Sequence, residues 1–168
     1  MLKDCQYETD VFLDRAELLG EKLGCLLLQF PPNFSVDYLP DLTSFLCKLP
    51  KQNHYVVEVR NRMWLKQEFY SLLKANNIAL AWADSPLMAQ NEEVTADFLY
   101  IRWEGNRKKV NGTLGKKEVD KQGYLNWWAD KIKFFLDKGT TVFGYFGKYY
   151  SGYPPSDITY LQTILNSN

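Results

Sequence analysis

The sequence predicts a single α/β domain built on a mostly parallel sheet. Short apolar segments alternate along the chain with segments whose apolar residues recur at helical spacing. Several of the short segments are apolar at consecutive positions, which is typical of parallel strands that are covered on both faces. Strands and helices that alternate in this way form a parallel sheet through right-handed crossovers. No change in composition marks a domain boundary within the 168 residues.

The predicted elements follow a regular order. Gly24 is suited to end a first helix over residues 10–23, and Pro31 ends the strand that follows it. One link, between Ala83 and Phe98, lacks a clear helical pattern. The predicted strands are residues 25–30, a strand that begins at Tyr55, and residues 78–83, 98–103 and 141–146, and the other predicted helices are residues 35–48, 66–77, 119–138 and 156–165.

Composition argues against several classes of protein. The chain has 20 basic and 20 acidic side chains, so no global field attracts nucleic acid or an anionic membrane. Its three cysteines lack CxxC spacing and support neither a zinc site nor a disulfide framework. The N-terminus lacks the apolar core of a signal peptide, and no apolar run reaches membrane-spanning length. We therefore predict a cytoplasmic protein that binds no nucleic acid and no membrane.

Polar side chains lie at or just after the end of each predicted strand. Glu58 and Arg60 are two residues apart, so on a regular strand both side chains point to the same face. Because the carboxyl ends of parallel strands meet at one edge, the side chains at these ends are expected to form a polar pocket. They are Gln29, then Glu58, Arg60, Asn61 and Trp64, then Asp84 and Ser85, then Arg102 and Glu104, and finally Tyr145 and Lys148.

The chemistry of these side chains suggests their roles. Glu58, Asp84 and Glu104 are candidate catalytic residues, each able to act as a general acid or base where burial raises its pKa. Arginine can bind a carboxylate or phosphate through two parallel hydrogen bonds. The candidate substrate-binding residues are Gln29, Arg60, Asn61, Trp64, Arg102 and Tyr145.

Other interpretations of the same residues remain open. A Glu–Arg lattice can simply fill the interior of a barrel, and Asp84 with Ser85 can form a turn or a helix cap. The basic run at residues 107–109 and Lys148 are interpreted as solvated loop side chains. No metal-ligand spacing and no Gly-rich phosphate loop occurs, so no metal site is predicted and the cofactor is left unassigned.

Motifs spread over nearly the whole chain resemble one known family. They are Leu28-Gln29-Phe30-Pro31-Pro32 after residues 23–24, Val57-Glu58-Val59-Arg60 with Trp64, Asp84-Ser85-Pro86, residues 95–102, Trp127-Trp128-Ala129, and Tyr145-Phe146 with Gly152. Taken in this order they resemble the DUF72, or YecE-like, family. The resemblance implies a TIM-type (β/α) barrel of unestablished activity.

The chain also departs from the family pattern. Asn61 stands where the family commonly has His, and Gly147-Lys148 stands where it has an Asn pair. A Gly-Thr-Ser-Gly-Trp start and an Asn-Ser-Thr-Phe-Tyr segment, which belong to three further strand units of the family, do not occur. The resemblance therefore predicts the C-terminal portion of the family fold, a partial barrel of about five parallel strands with flanking helices.

Five strands are too few to close a barrel of this class, which needs about eight. Open edges are then expected at the strands of residues 25–30 and 141–146, and apolar edges promote association. We expect a marginally stable chain, self-association, or pairing with a separate N-terminal piece. The function is expected to be that of an enzyme for a small anionic or sugar-like substrate, a non-catalytic binding module, or a family fragment without independent activity.

Overall fold

A computed structural model of the chain describes residues 2–86, 88 and 91–167. Within them the chain forms six β-strands and five α-helices. The strands are β1 (Leu26–Gln29), β2 (Tyr55–Glu58), β3 (Ala79–Leu80), β4 (Trp82–Asp84), β5 (Phe98–Gly105) and β6 (Thr141–Tyr149). The helices are α1 (Gln6–Glu17), α2 (Leu39–Lys48), α3 (Gln67–Ala75), α4 (Gln122–Leu136) and α5 (Pro154–Asn166).

The strands form two three-stranded sheets, in the orders β1-β2-β3 and β4-β5-β6. Every pairing is parallel, so the predicted α/β class with parallel strands is confirmed. The link between β4 and β5 contains no helix among its described residues, while residues 87, 89 and 90 lie outside the described part.

The predicted strand of residues 78–83 is divided at Ala81. Its first half, β3, pairs with β2, and its second half, β4, pairs with β5, so each half belongs to a different sheet. The N–H of Ala81 donates to the carbonyl of Val57 at 2.9 Å, which extends the contact with β2 one residue beyond Leu80. Residues 78–83 are apolar throughout, so nothing in the local pattern marks the division.

The first helix also differs from its prediction. It begins and ends earlier, at Gln6 and Glu17, and a 3-10 helix over Gly20–Lys22 leads to β1. Gly20, with a φ of +53°, lets the chain turn four residues before Gly24, which was the predicted end of the helix.

Alternating side chains of β2 face two different environments. Because successive side chains on a strand point to opposite faces, Tyr55 and Val57 pack with α2 and α3, whereas Val56 points away from the helices. The same alternation holds in β5, where Ile101 packs against α4 and Tyr100 lies on the face of Val56. We call this second face, which carries Val56 and Tyr100, the inner face.

The edge strands are β1 and β3 in one sheet and β4 and β6 in the other. Within the described residues each has one neighbouring strand. Parts of the inner face of β1 and β6 are exposed, since Leu27 is 36% and Tyr145 47% accessible. None of the described helices is long and apolar enough to cross a membrane.

Candidate functional site

Glu58 is a buried carboxylate at the carboxyl end of β2, with 2% of its side chain exposed. Its Oε1 accepts hydrogen bonds from Gln29 Nε2 at 2.8 Å and from Arg60 Nε at 3.2 Å. Its Oε2 accepts from Arg102 Nη1 at 2.6 Å. Both oxygens are therefore engaged by donors, and two guanidinium groups compensate the buried negative charge.

Glu104 completes this network from β5. Its Oε1 accepts from Arg60 Nη2 at 2.8 Å and lies 3.4 Å from Arg102 Nη2. Burial lowers the pKa of Arg102, but the adjacent carboxylates of Glu58 and Glu104 outweigh this effect and raise it. We call Glu58, Arg60, Arg102 and Glu104 the ionic floor. Its two cations and two anions sum to zero charge.

Local sequence explains how the ionic floor assembles. Glu58 and Arg60 are two residues apart at the end of β2, and Arg102 and Glu104 are two apart on β5, so each pair lies on one face. The intervening β3–β4 segment places the small side chains of Ala79 and Ala81 on the inner face. The long side chains of β2 and β5 can therefore meet across it.

A pocket of about 740 Å³ opens beside the ionic floor, and we call it the rim pocket. Arg60, Arg102 and Glu104 line its base. Its other lining residues come from the ends of β4, β5 and β6: Ser85, Pro86, Gly105, Asn106, Arg107, Lys108, Gly147, Lys148 and Tyr149. Five cationic side chains and one carboxylate thus share one cavity, which favours an anionic ligand.

Two glycines let β5 and β6 approach closely at the wall of the rim pocket. The pairing of these strands shifts register between Trp103 and Gly105. Gly105 has a φ of +76°, and a Cβ placed on it would lie 2.0 Å from the carbonyl oxygen of Tyr149. A Cβ on Gly147 would lie 2.9 Å from the carbonyl oxygen of Glu104. The wall therefore requires glycine, which has no Cβ, in both positions.

The aromatic ring of Tyr149 orders two of the pocket's cations. Arg107 Cζ and Lys148 Nζ each lie 4.9 Å from its centroid, within cation–π range. Arg107, Lys108 and Lys148, interpreted from the sequence as solvated loop side chains, are exposed to solvent and also line the rim pocket. Their position directly after two neighbouring strands was the available signal, since such ends meet at one edge of a parallel sheet.

Four of the predicted binding residues lie outside the rim pocket. Gln29 supports Glu58, and Asn61 Oδ1 accepts a hydrogen bond from the Met63 N–H at 3.0 Å, at the start of a short 3-10 helix. The ring of Tyr145 stacks on Tyr100 of the inner face. Trp64 is 1% exposed, and its indole N–H donates to the Phe34 carbonyl at 2.7 Å, so it is enclosed in the core.

Asp84, a predicted catalytic residue, lies apart from Glu58 and Glu104. Its β-sheet partner is Trp103, whose side chain packs on the helix-facing side, opposite the ionic floor. Burial raises the pKa of Asp84, while the charge of Lys121 acts to lower it. The structure therefore brings together two of the three predicted catalytic carboxylates.

The raised pKa of Asp84 predicts a change in pH dependence on substitution. Because the folded state holds this proton more tightly than the unfolded state, the associated stability is present below the ordinary pKa of 3.8 and is lost as pH rises through the folded value. We expect Asp84→Asn to reduce the loss of stability that occurs as pH rises above 3.8. The melting temperature as a function of pH measures this.

Asp120 provides a control, because its pKa is shifted in the opposite direction to that of Asp84. The backbone N–H of Gln122 donates to its carboxylate at 3.0 Å and lowers its pKa. Stability from Asp120 is therefore present above its unfolded pKa and lost as pH falls, so Asp120→Asn is expected to lower stability at neutral pH. Identical pH profiles of Asp84→Asn and the unsubstituted protein would contradict the assignment.

No group of three or more His, Cys, Asp or Glu side chains in the described part of the chain is arranged to hold a metal ion. The three cysteines, Cys5, Cys25 and Cys47, are free thiols. Burial raises the pKa of Cys25, although the neighbouring Tyr145 hydroxyl acts in the opposite direction.

Comparison with known proteins identifies the family. No match is found among curated proteins. The structure is similar to a DUF72 family protein from Thermotoga maritima, with a TM-score of 0.76 and 21% identity over 98% of this chain and 67% of that one. It is also similar to a DUF72 family protein from Enterococcus faecalis, with a TM-score of 0.75 and 18% identity over 100% of this chain and 71% of that one. The family described as protein of unknown function DUF72 matches residues 1–168, and the chain therefore belongs to the DUF72 family.

Proposed function

We propose that the rim pocket binds a small anionic ligand. The observation that carries this proposal is that Arg107, Lys108 and Lys148 add three positive charges to the neutral ionic floor in a single cavity of about 740 Å³. A volume of this size is ordinary for small-molecule sites. Both oxygens of Glu58 already accept hydrogen bonds from three side chains, which supports a structural role for this residue and a binding role for the pocket.

Inorganic phosphate is the simplest probe of this proposal. We expect it to raise the melting temperature at constant ionic strength, because a ligand that binds only the folded state stabilises it. The double substitution Arg107→Ala and Lys148→Ala is expected to weaken binding at least tenfold, since it removes two charges that face the cavity. Calorimetric titration measures the affinity.

Lys109→Ala is the matched control for these two substitutions. Lys109 belongs to the same basic run but does not line the rim pocket. Its loss should change phosphate affinity by less than the loss of Lys148 alone, because salt screens the interaction of a more distant charge with the bound anion. Equal losses in the two single variants would indicate a diffuse field and contradict a defined site.

An enzyme is the second candidate function, and Glu104 supports it. Glu104 is the one carboxylate among the residues that line the rim pocket. Its Oε1 is held by arginines, while proton transfer to a bound substrate requires a carboxylate that reaches the cavity. Once a substrate is identified, Glu104→Gln should abolish turnover while inorganic phosphate still binds. Retained turnover would exclude this role.

We further propose that the two sheets are consecutive parts of one (β/α) barrel wall. Only Ala81 separates β3 from β4, and its hydrogen bond to Val57 supports continuity. The similar DUF72 structures are longer, since this chain spans 67% and 71% of them. Further strands alongside β1 and β6, from self-association or from another polypeptide, would cover their open edges.

Light scattering after size-exclusion chromatography tests the covering of these edges. We expect an apparent mass above 19.6 kDa that rises with concentration, because half-exposed edge strands offer unpaired backbone groups. The substitution Leu27→Lys, on the inner face of β1, should lower association. A monodisperse monomer with a cooperative melt would contradict the proposal.

A further inference from the structure

Charge is distributed unevenly within the rim pocket. At its base, Arg60 and Arg102 are each within 3.4 Å of Glu58 or Glu104, and the four charges cancel. At its outer wall, Arg107, Lys108 and Lys148 form no ion pair with any carboxylate in the described part of the chain. The uncompensated positive charge therefore lies at the outer wall.

The neutral base retains groups for hydrogen bonding. Each guanidinium has five N–H donors, and Arg60 and Arg102 each use only part of this set on the two carboxylates. Glu104 Oε2 forms no hydrogen bond or ion pair within the described residues. Donors and an acceptor that lie side by side suit hydroxyl groups, since a hydroxyl both donates and accepts. A second anion at the base would have to compete with Glu58 and Glu104.

The lining residues also restrict the chemistry of the part of the ligand that lies beyond its anionic group. Among its described lining residues, Pro86 and Tyr149 are the ones with apolar or aromatic side chains, and the ring of Tyr149 already contacts Arg107 and Lys148. An apolar ligand body would leave Glu104 Oε2 and the remaining N–H groups of Arg60 and Arg102 without partners, which costs free energy. A hydroxylated body satisfies them.

We propose that the rim pocket binds a phosphate monoester of a polyhydroxylated compound, such as a sugar phosphate. The phosphate lies against Arg107, Lys108 and Lys148, and the hydroxyl groups lie on Arg60, Arg102 and Glu104. This inference deepens the anion-binding function proposed above and rests on it. It adds the orientation of the ligand and the chemistry of its neutral part.

The experiment compares four kinds of probe by calorimetry at constant ionic strength. They are inorganic phosphate, the free sugars glucose and ribose, a panel of glycerol 3-phosphate, ribose 5-phosphate and glucose 6-phosphate, and phenyl phosphate. At least one member of the panel is expected to bind tenfold or more tightly than inorganic phosphate. Phenyl phosphate should bind no more tightly than phosphate, and the free sugars should bind weakest.

Two sets of variants separate the two ends of the site. Arg107→Ala with Lys148→Ala should weaken phosphate and the best panel member by similar factors. Glu104→Gln should remove most of the tenfold gain of that panel member and leave the affinity for inorganic phosphate undiminished. Circular dichroism and melting temperature establish that each variant is folded.

The outcomes distinguish the two proposals. If phosphate binds but no panel member exceeds it tenfold, or if phenyl phosphate matches the best panel member, the polyhydroxylated ligand is overturned while anion binding stands. If neither phosphate nor any phosphate ester binds, both proposals are overturned. If Glu104→Gln keeps the full gain, the orientation of the ligand is wrong.

Discussion

Glu58→Gln is expected to lower the free energy of unfolding by about 3 kcal/mol, the lower end of the range for breaking a buried ion pair. The substitution removes the charge that compensates Arg60 and Arg102 on the inner face. The guanidinium groups remain, and the lower end of the range applies because 28% and 27% of these two side chains are exposed to water. Urea denaturation followed by tryptophan fluorescence measures the change.

Glu104→Gln is the matched control for Glu58→Gln. Glu104 bonds to the same two arginines, yet 19% of its side chain is exposed against 2% for Glu58. Its loss is expected to cost about 1 kcal/mol, because ion pairs nearer the surface contribute less. A double-mutant cycle with Arg102→Gln should show coupling to Glu58 larger than coupling to Glu104. Equal costs for the two glutamates would show that Glu58 is not the centre of the network.

Gly105→Ala is expected to destabilise the protein by more than about 3 kcal/mol, beyond the strain of the left-handed conformation alone. Besides that strain at a φ of +76°, the new Cβ would lie 2.0 Å from the backbone oxygen of Tyr149, and backbone cannot rotate away as a side chain can. Relief requires β6 to move from β5 and thereby opens the wall of the rim pocket. Thermal and urea unfolding measure the loss of stability. Loss of phosphate binding would show that the wall of the rim pocket has opened.

Gly139→Ala separates backbone strain from the close contact. Gly139 has the same φ of +76°, and a Cβ added there meets nothing within 4 Å. It should therefore cost only the strain of a left-handed alanine, about 1 to 2 kcal/mol. If Gly105→Ala costs no more than Gly139→Ala, the close approach of β5 and β6 does not support the pocket wall.

Much of the fold follows from local patterns. The apolar run after His54 predicts β2, and its alternation places Glu58 and Arg60 on one face, as the structure confirms. The same reasoning places Arg102 on the β5 face it occupies. These predictions succeed because side-chain direction on a strand depends on spacing along the chain alone.

Other features depend on partners distant in sequence. Asp84 ends β4 and Arg102 lies on β5, yet Asp84 is on the helix-facing side because Trp82, two residues earlier, packs against α4. The sequence predicts Trp64 as a residue at the rim of the sheet, but the ring and the carbonyl of Phe34 enclose it in the core. Nothing within a short window of sequence contains these contacts.

For this protein, the sequence by itself determined the α/β class with parallel strands, the family, and the pairing of Glu58 with Arg60 on one strand face. Each follows from local spacing or from motif order. Only the tertiary structure decided that β3 and β4 belong to different sheets and that Arg107, Lys108 and Lys148 share one cavity with Arg60 and Arg102. The physical reason is the close approach of β5 and β6 at Gly105 and Gly147, which joins loops that are far apart along the chain.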